Sequence, residues 1–213
     1  MNVNRNTGEV DGQYLLRGHL AVSELNSCHE DNYYLANALL AWGGAEASAN
    51  GILKAAMQCR HWDFFPAFLY GFNQYFFKRN VPEAQRALEV AAERSSENAA
   101  AMKRFSVMIG AEEFDDEAMA LAYLEEQQTK ANDAALAESL QNRVDRLKGL
   151  IQLREAQSVY EANFDEPLPS PQALLNAGLI EAFPNDPLGI GYEFVNGQFK
   201  LRQLRIQGVE RPQ

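Results

Sequence analysis

Apolar side chains along much of the chain recur every three or four residues, in short runs separated by polar or glycine-containing breaks. This spacing places the apolar positions on one face of a helix. A helix capped by Asp31 or Asn32 is expected to end at residues 43–44, which are both glycine, and residues 45–59 carry the next apolar run. From residue 14 to about residue 128, the pattern therefore predicts short helices joined by short connections.

The most apolar run is aromatic: residues 62–77 read WDFFPAFLYGFNQYFF, and nine of these sixteen residues are Phe, Tyr or Trp. The run is too short to cross a bilayer, and it includes polar side chains at Asp63, Asn73 and Gln74. Two interpretations follow: a core helix packed against other helices, or an aromatic-lined groove that binds a partner.

Two segments superpose on one another at an offset of 34 residues. Residues 65–98 and residues 99–132 share one plan, a helix, a polar break and a second helix, and Pro-Glu-Ala at 82–84 aligns with Asp-Glu-Ala at 116–118. A period of about 34 residues with two helices in each unit is the spacing of tetratricopeptide repeats. Because one helix pair cannot bury its apolar face alone, neighbouring pairs are expected to stack.

In this region the chain resembles the tetratricopeptide-repeat family, with one good copy over 65–98 and a weaker copy over 99–132. The weaker copy keeps Ala118 and Ala122 but has Glu125 at a position where the family has a small residue. The resemblance implies an α-α superhelix of stacked helical hairpins, and a generic array of helical hairpins is the alternative. The packing positions of the good copy are Phe68, Gly71, Phe72, Tyr75, Ala84, Leu88 and Ala91.

A long helix is predicted over residues 131–163, where apolar side chains fall at intervals of three and four residues. This helix either caps the array by covering its last apolar face or pairs with a second copy of itself. The apolar stripe consists of Leu136, Leu140, Val144, Leu147 and Ile151.

After the long helix the composition changes, because five prolines occur between residues 167 and 187. Ser170 can cap a short helix that Gly178 ends. The dipeptide Asn-Gly at 196–197 lies between YEFV and QFKL, two runs typical of strands, and it favours the tight turn of a β-hairpin. A small α+β appendix that contains a β-hairpin is therefore predicted here.

The appendix resembles a region of bacterial pseudopilin proteins in which a short helix ends in Ala-Gly-Leu, and Asp-Pro and Gly precede a strand. The apolar N-terminal helix that defines pseudopilins does not occur in this sequence, so filament assembly is not implied. The resemblance implies a bacterial origin and an envelope-associated role. A proline-rich wrap packed against the long helix is the alternative. The matching residues are Pro169, Ala177, Gly178, Leu179, Pro184, Asp186, Pro187, Gly189, Tyr192 and Phe194.

Together these elements predict a mainly α fold. It is an α-α superhelix of stacked helical hairpins, resembling tetratricopeptide repeats, with a long C-terminal helix and a small C-terminal α+β appendix containing a β-hairpin. The helical repeat domain is expected to span residues 14–163 and the appendix residues 164–205. Residues 1–13 are polar and are predicted to form a flexible N-terminus, and residues 206–213 are predicted to form a tail.

The charge balance narrows the class of partner. The net charge is −10, whereas proteins that bind nucleic acid present an excess of basic surface, so no nucleic-acid partner is expected. No run of 18 apolar residues occurs, so no membrane insertion is expected either. If Met1 is the natural start, its polar surroundings predict a cytoplasmic protein; the alternative is the soluble part of an envelope-associated bacterial protein.

Few residues point to chemistry. Neither a Gly-x-Ser-x-Gly motif nor a phosphate-binding loop occurs, so we expect no enzymatic activity, no catalytic residues, no bound metal and no cofactor. Cys28 and Cys59 are expected to be unlinked, although they are predicted to lie at neighbouring ends of two antiparallel helices, where a disulfide is the geometric alternative. With His29 and His61 they supply the ligands of an alternative, a metal-binding protein, although their spacing differs from that of zinc fingers.

The function predicted from these features is that of a protein–protein interaction scaffold or adaptor, which binds a peptide or partner protein in a helical-repeat groove. The alternative is a structural homo-oligomer assembled through the aromatic helix 62–77 or the long helix 131–163. Asn73 and Gln74 matter most in the groove, because amides among aromatic rings can hydrogen-bond a peptide backbone. The predicted partner-binding residues are Tyr33, Tyr34, Phe68, Tyr70, Asn73 and Gln74.

Overall fold

The computed structural model describes residues 9–202, with side chains from residue 12 onward. Over this range the protein is mainly α-helical, with a two-stranded antiparallel sheet near its C-terminal end. Residues 1–8 of the predicted flexible segment 1–13 lie outside the described residues. The rest of that segment belongs to a helix that begins at Glu9. The predicted tail 206–213 also lies outside them. None of the helices in the described range is both long enough and apolar enough to cross a membrane.

Internal contacts divide the chain into two compact units, with the division between Gly110 and Ala111. This division falls inside residues 14–163, the segment predicted to form a single repeat domain. It places the long helix and the C-terminal appendix in the same unit, whereas the sequence pattern separates them after residue 163.

The first unit, as far as the structure describes it, consists of helices joined by short connections. They are α1 (Glu9–Leu25), α2 (Glu30–Ala36), a π-helical segment (Asn37–Ala41) that continues α2, α3 (Glu46–Cys59), α4 (Phe65–Phe76), α5 (Val81–Arg94) and α6 (Ala99–Ala111). Helices close in sequence pack together: α1 contacts α2 and α3, α3 contacts α4, and α4 contacts α5. Packing of successive helix pairs is compatible with a helical-repeat fold.

The start of α2 differs slightly from the pattern. The helix begins at Glu30, and its cap is the ring of His29, which accepts a hydrogen bond from the backbone N–H of Asn32 at 3.3 Å. The carboxylate of Asp31 therefore lies in the first turn rather than at the cap. In the first turn its negative charge interacts favourably with the positive end of the helix dipole.

Small side chains let α4 and α5 approach closely. Ala84, Ala87 and Ala91 of α5 are fully buried, and Gly71 of α4 faces this helix. A Cβ atom added at Gly71 would lie 3.1 Å from the carbonyl oxygen of Ala84, which is tighter than most side-chain contacts. Half of the aromatic rings of α4 are buried and the others are half-buried, as the core interpretation of the aromatic run predicts. Those of Tyr70, Tyr75 and Phe76 are buried.

The second unit, within the described residues, contains α7 (Glu117–Lys130), α8 (Ala134–Phe164), α9 (Gln172–Asn176), β1 (Tyr192–Val195) and β2 (Gln198–Leu201). The long helix α8 packs against α7, α9 and β2. The predicted long helix and the predicted hairpin are thus both present. In the turn of the hairpin, Asn196 and Gly197 have φ angles of 53° and 76°, the sign that a type I′ turn requires.

Arg146 and Asp186 hold the appendix on α8. Asp186 accepts hydrogen bonds from the N–H groups of Gly191 and Leu188 and from Nε of Arg146, the last at 3.0 Å. Burial raises the pKa of Asp186, but these donors and the positive charge outweigh burial and hold the pKa below its ordinary value. The guanidinium also donates to the carbonyl oxygens of Gly191 and Arg202. The appendix therefore packs against the long helix, as the wrap interpretation predicts.

Candidate functional site, an aromatic and acidic cleft

The first unit has an open cleft between the N-terminal turn of α2 and the loop that joins α3 to α4. Its volume is about 580 Å³, within the range of sites that hold small ligands. We call it the aromatic–acidic cleft, because aromatic rings and carboxylates dominate its walls. It is lined by Glu30, Asp31, Tyr33, Tyr34, Arg60, Trp62, Asp63, Phe64 and Phe65.

The wall formed by α2 presents one buried and one exposed tyrosine. Tyr33 is buried, and its hydroxyl donates a hydrogen bond to Oδ2 of Asp63 on the opposite wall, at 2.8 Å. Burial and this hydrogen bond raise the pKa of Tyr33, so its phenol stays protonated. Tyr34 is 52% exposed, and its ring stacks on that of Phe65 with the centroids 6.0 Å apart. A ligand in the cleft would therefore meet the ring of Tyr34.

Arg60 links the two walls through every nitrogen of its guanidinium. Nε donates to Oδ2 of Asp63 at 2.8 Å, Nη1 to the carbonyl oxygen of Cys28 at 3.1 Å, and Nη2 to Oε2 of Glu30 at 3.0 Å. The guanidinium carbon also lies 5.4 Å from the centre of the Trp62 ring, a cation–π distance. These contacts fix the loop against the start of α2.

Asp63 anchors the loop to the helix that follows. Its Oδ1 accepts a hydrogen bond from the N–H of Phe65 at 3.0 Å, while its Oδ2 accepts from Tyr33 and Arg60. Burial raises the pKa of Asp63, but these donors outweigh burial, so the pKa lies below the ordinary value and the group is ionised at neutral pH. Behind the loop, Arg94 donates to the carbonyl oxygens of Arg60 and Asp63. The loop is thus fastened on both sides.

A disulfide between Cys28 and Cys59 joins the walls at their base, with the Cα atoms 5.3 Å apart. Cys28 lies just before α2, and Cys59 is the last residue of α3. With both sulfur atoms in this bond, neither is present as a thiolate ligand beside His29 and His61. In the part of the chain that the structure describes, no group of three or more His, Cys, Asp or Glu side chains is placed to hold a metal ion.

Of the six predicted partner-binding residues, Tyr33 and Tyr34 line the cleft. Tyr70 is buried, and its hydroxyl donates to Oε1 of Glu83 at 2.9 Å. Phe68 is half-buried and packs against the core of the first unit. The structure therefore does not bring these two aromatic residues into the cleft, because both belong to the packed faces of α4.

The two amides predicted to face a groove lie inside the first unit instead. Asn73 is fully buried, and its Nδ2 donates to the side-chain oxygens of Asn37 at 2.7 Å and Asn50 at 2.8 Å. Gln74 is 8% exposed. Neither residue lines the aromatic–acidic cleft. The physical reason is that Asn37 of the π-helical segment and Asn50 of α3 accept hydrogen bonds from the amide nitrogen of Asn73, although its buried Oδ1 has no hydrogen-bond partner among the described residues.

Periodicity does not identify Arg60, Trp62 or Asp63, the residues that shape the loop wall. They lie between two helices, where no apolar repeat exists to place them. One signal was present in the sequence: an Arg and an Asp three residues apart, with the Arg directly after a cysteine and the Asp within the aromatic run 62–77. Such a pair can bridge a loop, but its partners on α2 lie about 30 residues away and cannot be read from local spacing.

Comparison of the chain with protein-family models, with curated proteins and with solved structures gave no match. The resemblance to tetratricopeptide repeats therefore depends on helix pairing and the 34-residue offset, and the resemblance to pseudopilins depends on a short motif.

Proposed function

We propose that this chain is a protein–protein interaction module, and that it binds an extended segment of a partner protein in the aromatic–acidic cleft. The observation that carries the proposal is the exposure of Trp62 and Tyr34, which are 68% and 52% exposed at the mouth of a fixed cleft. Tyrosine and tryptophan are enriched at protein interfaces, because each contributes a large rigid surface together with a polar tip.

The construction of the cleft supports binding rather than catalysis. The disulfide, Arg60 and Asp63 fix both walls before any ligand arrives. A wall that is already ordered loses little conformational entropy on binding, so more of the contact energy appears as affinity. The contacts within the cleft are structural hydrogen bonds and ion pairs, and they are arranged to hold a surface in place.

The same proposal includes a tetratricopeptide-like stacking of the helices. The starts of α4 at Phe65 and of α6 at Ala99 are separated by the 34-residue offset found in the sequence. Stacked helical hairpins expose extended surfaces that suit peptide segments. The cleft lies between α2 and the connection from α3 to α4, and we propose that it forms part of such a surface.

Selection from a random peptide library on the immobilised full-length chain tests the proposal. We expect the enriched peptides to lose about tenfold or more in affinity for Trp62→Ala, because exposed aromatic residues at an interface are common hot spots. Trp42→Ala is the matched control: Trp42 is 56% exposed in the same unit and does not line the cleft. Circular dichroism establishes that both variants are folded. Absence of any enriched peptide, or equal binding to Trp62→Ala and wild type, would refute the assignment.

A further inference from the structure

The lining of the aromatic–acidic cleft is negatively charged. It contains three carboxylates, Glu30, Asp31 and Asp63, against a single guanidinium, that of Arg60. Two negative charges are therefore left in excess at the cleft, on a chain whose net charge is −10. This excess of negative charge favours a positively charged occupant and opposes a negatively charged one.

The three carboxylates differ in how many hydrogen bonds and ion pairs they already make. Asp63 already accepts hydrogen bonds from Tyr33, Arg60 and Phe65. Glu30 gives only Oε2 to Arg60, and its side chain is 68% exposed. The exposed carboxylate of Asp31 makes no hydrogen bond or ion pair with any residue that the structure describes. An incoming cation thus finds free carboxylate oxygens on the first turn of α2.

Arg60 is largely committed to protein oxygens. Three of its five N–H groups donate to Asp63, Cys28 and Glu30, and its side chain is only 14% exposed. An acidic or phosphorylated segment entering the cleft would face the free carboxylate of Asp31 and the excess negative charge of the lining. Repulsion between like charges therefore disfavours that class of occupant.

The aromatic rings add a second preference for a cation. Trp62 already holds the guanidinium of Arg60 at 5.4 Å from its ring centre, and 68% of the residue remains exposed. Tyr34, on the other wall, is 52% exposed. Faces of Trp and Tyr attract guanidinium and ammonium groups through the quadrupole of the ring, and Arg also stacks on them. An apolar segment would use the rings but would leave the carboxylates unpaired.

We propose, on the basis of the function proposed above, that the cleft binds a basic segment of another protein. An arginine or lysine of that segment pairs with the carboxylates of Glu30 and Asp31 and lies against the rings of Tyr34 and Trp62. The carboxylates select the charge, and the rings select a side chain that can lie flat on an aromatic face.

The experiment uses the peptides enriched on the full-length chain, with Trp42→Phe as the background, because Trp62 is then the remaining tryptophan and its fluorescence reports on the cleft. We expect an Arg or Lys at a fixed position in these peptides. Replacing that Arg with citrulline, which has the same shape and no charge, should weaken binding about tenfold or more. Raising the salt concentration should also weaken the charged peptide and leave the citrulline peptide nearly unaffected.

Asp31→Asn completes a thermodynamic cycle with the citrulline peptide. We expect this variant to bind the arginine peptide severalfold more weakly than the parent protein does. Its affinity for the citrulline peptide should be unchanged, because citrulline forms no charge pair with residue 31 in either protein. Glu97→Gln, which removes an exposed carboxylate of the same unit outside the cleft, is the matched control and should bind like the parent protein.

The outcomes separate this inference from the proposed function. Enriched peptides that depend on Trp62 but lack a basic residue would preserve the interaction module and overturn the basic occupant. Equal affinity for the arginine and citrulline peptides, or an equal effect of Asp31→Asn on both, would overturn it as well. If no peptide is enriched at the cleft, both proposals fall together.

Discussion

At the scale of single residues, Arg60 and the Cys28–Cys59 disulfide fasten the same two stretches of chain by different means. The disulfide joins Cys28, which lies just before the cap of α2, to Cys59, the last residue of α3. Arg60 joins them again by donating to the carbonyl oxygen of Cys28 and the carboxylate of Glu30. The covalent link acts mainly on the unfolded chain by shortening its free loop, whereas the hydrogen bonds act only in the folded protein. The two devices therefore make separate contributions to the cleft.

Removing the disulfide should lower stability measurably. The two cysteines are 31 residues apart in sequence, and for a loop of this length the chain-entropy relation gives a loss of about 3 to 4 kcal/mol in the Cys28→Ser/Cys59→Ser variant. Urea denaturation of the oxidised wild type and the variant measures the difference. Wild type treated with a reductant serves as the control and should resemble the variant. Two free thiols titrated in oxidised, denatured wild type would contradict the prediction.

The residues of the cleft were predictable only in part. Tyr33 and Tyr34 follow from the aromatic pattern on a predicted helix. Asn73 shows why residue types mislead: an amide among aromatic rings suggests a peptide-binding surface, but its partners Asn37 and Asn50 lie 36 and 23 residues away. No local spacing reveals such partners. The loop wall formed by Arg60 and its neighbours depends on the same kind of distant contact, so the sequence alone could not assemble it.

At the scale of helices and strands, prediction succeeds where the signal is local. Asn-Gly at 196–197 predicts the turn of the hairpin, and the apolar spacing predicts a long helix over 131–163, close to the observed Ala134–Phe164. The observed start of α8 is fixed by Asp133, which caps the N–H of Leu136. The division into two units at residues 110–111 carries no such signal, because it arises from which helices pack together.

A glycine inside α8 provides a test of packing against helix propensity. A Cβ atom at Gly149 would overlap the hydroxyl of Tyr192 and lie 3.1 Å from Cβ of Pro184. Tyr192 donates to the carbonyl oxygen of Arg146 at 3.0 Å, and this bond would be displaced. We expect Gly149→Ala to lower the free energy of unfolding by about 1 to 3 kcal/mol, because overpacking outweighs the better helix propensity of alanine. Urea denaturation followed by circular dichroism measures it.

Gly51 of α3 is the matched control. It also lies within a helix, but a Cβ atom there would meet nothing within 4 Å. Gly51→Ala should therefore raise stability by about 0.5 to 1 kcal/mol, the ordinary gain from replacing a helical glycine. A Gly149→Ala variant as stable as wild type would mean that Tyr192 and the appendix can shift away from α8 without loss.

At the scale of the whole molecule, carboxylates that contribute to the charge of −10 also hold the structure together. Asp63 anchors the cleft loop, and Asp186 anchors the appendix. Glu83 of α5 accepts from Tyr70 of α4 and from Arg86. The ion pairs of an ionised carboxylate are lost when it is protonated. We therefore expect acidification to lower the stability of both units.

Stability should fall as the pH is lowered from about 5 toward about 2. The pKa of Glu83 is lowered from 4.5 to about 2, mainly because Arg86 donates hydrogen bonds to the carboxylate, and those of Asp63 and Asp186 also lie below the ordinary value. In this range the unfolded chain takes up protons that the folded protein does not, so acidification favours unfolding. Above about pH 5 these groups are ionised in both states and add no pH dependence. Urea denaturation over a series of pH values measures the decline.

Glu83→Gln separates the contribution of this carboxyl from the others. Glutamine has nearly the same size and can accept a hydrogen bond, but it does not ionise. The variant should be less stable than wild type at neutral pH, and its stability should decline less steeply in acid, because the proton uptake of Glu83 on unfolding is gone. An unchanged slope would assign the decline to other groups. Stability that rises on acidification would contradict all three assignments, since that sign belongs to carboxyls whose pKa is raised by burial.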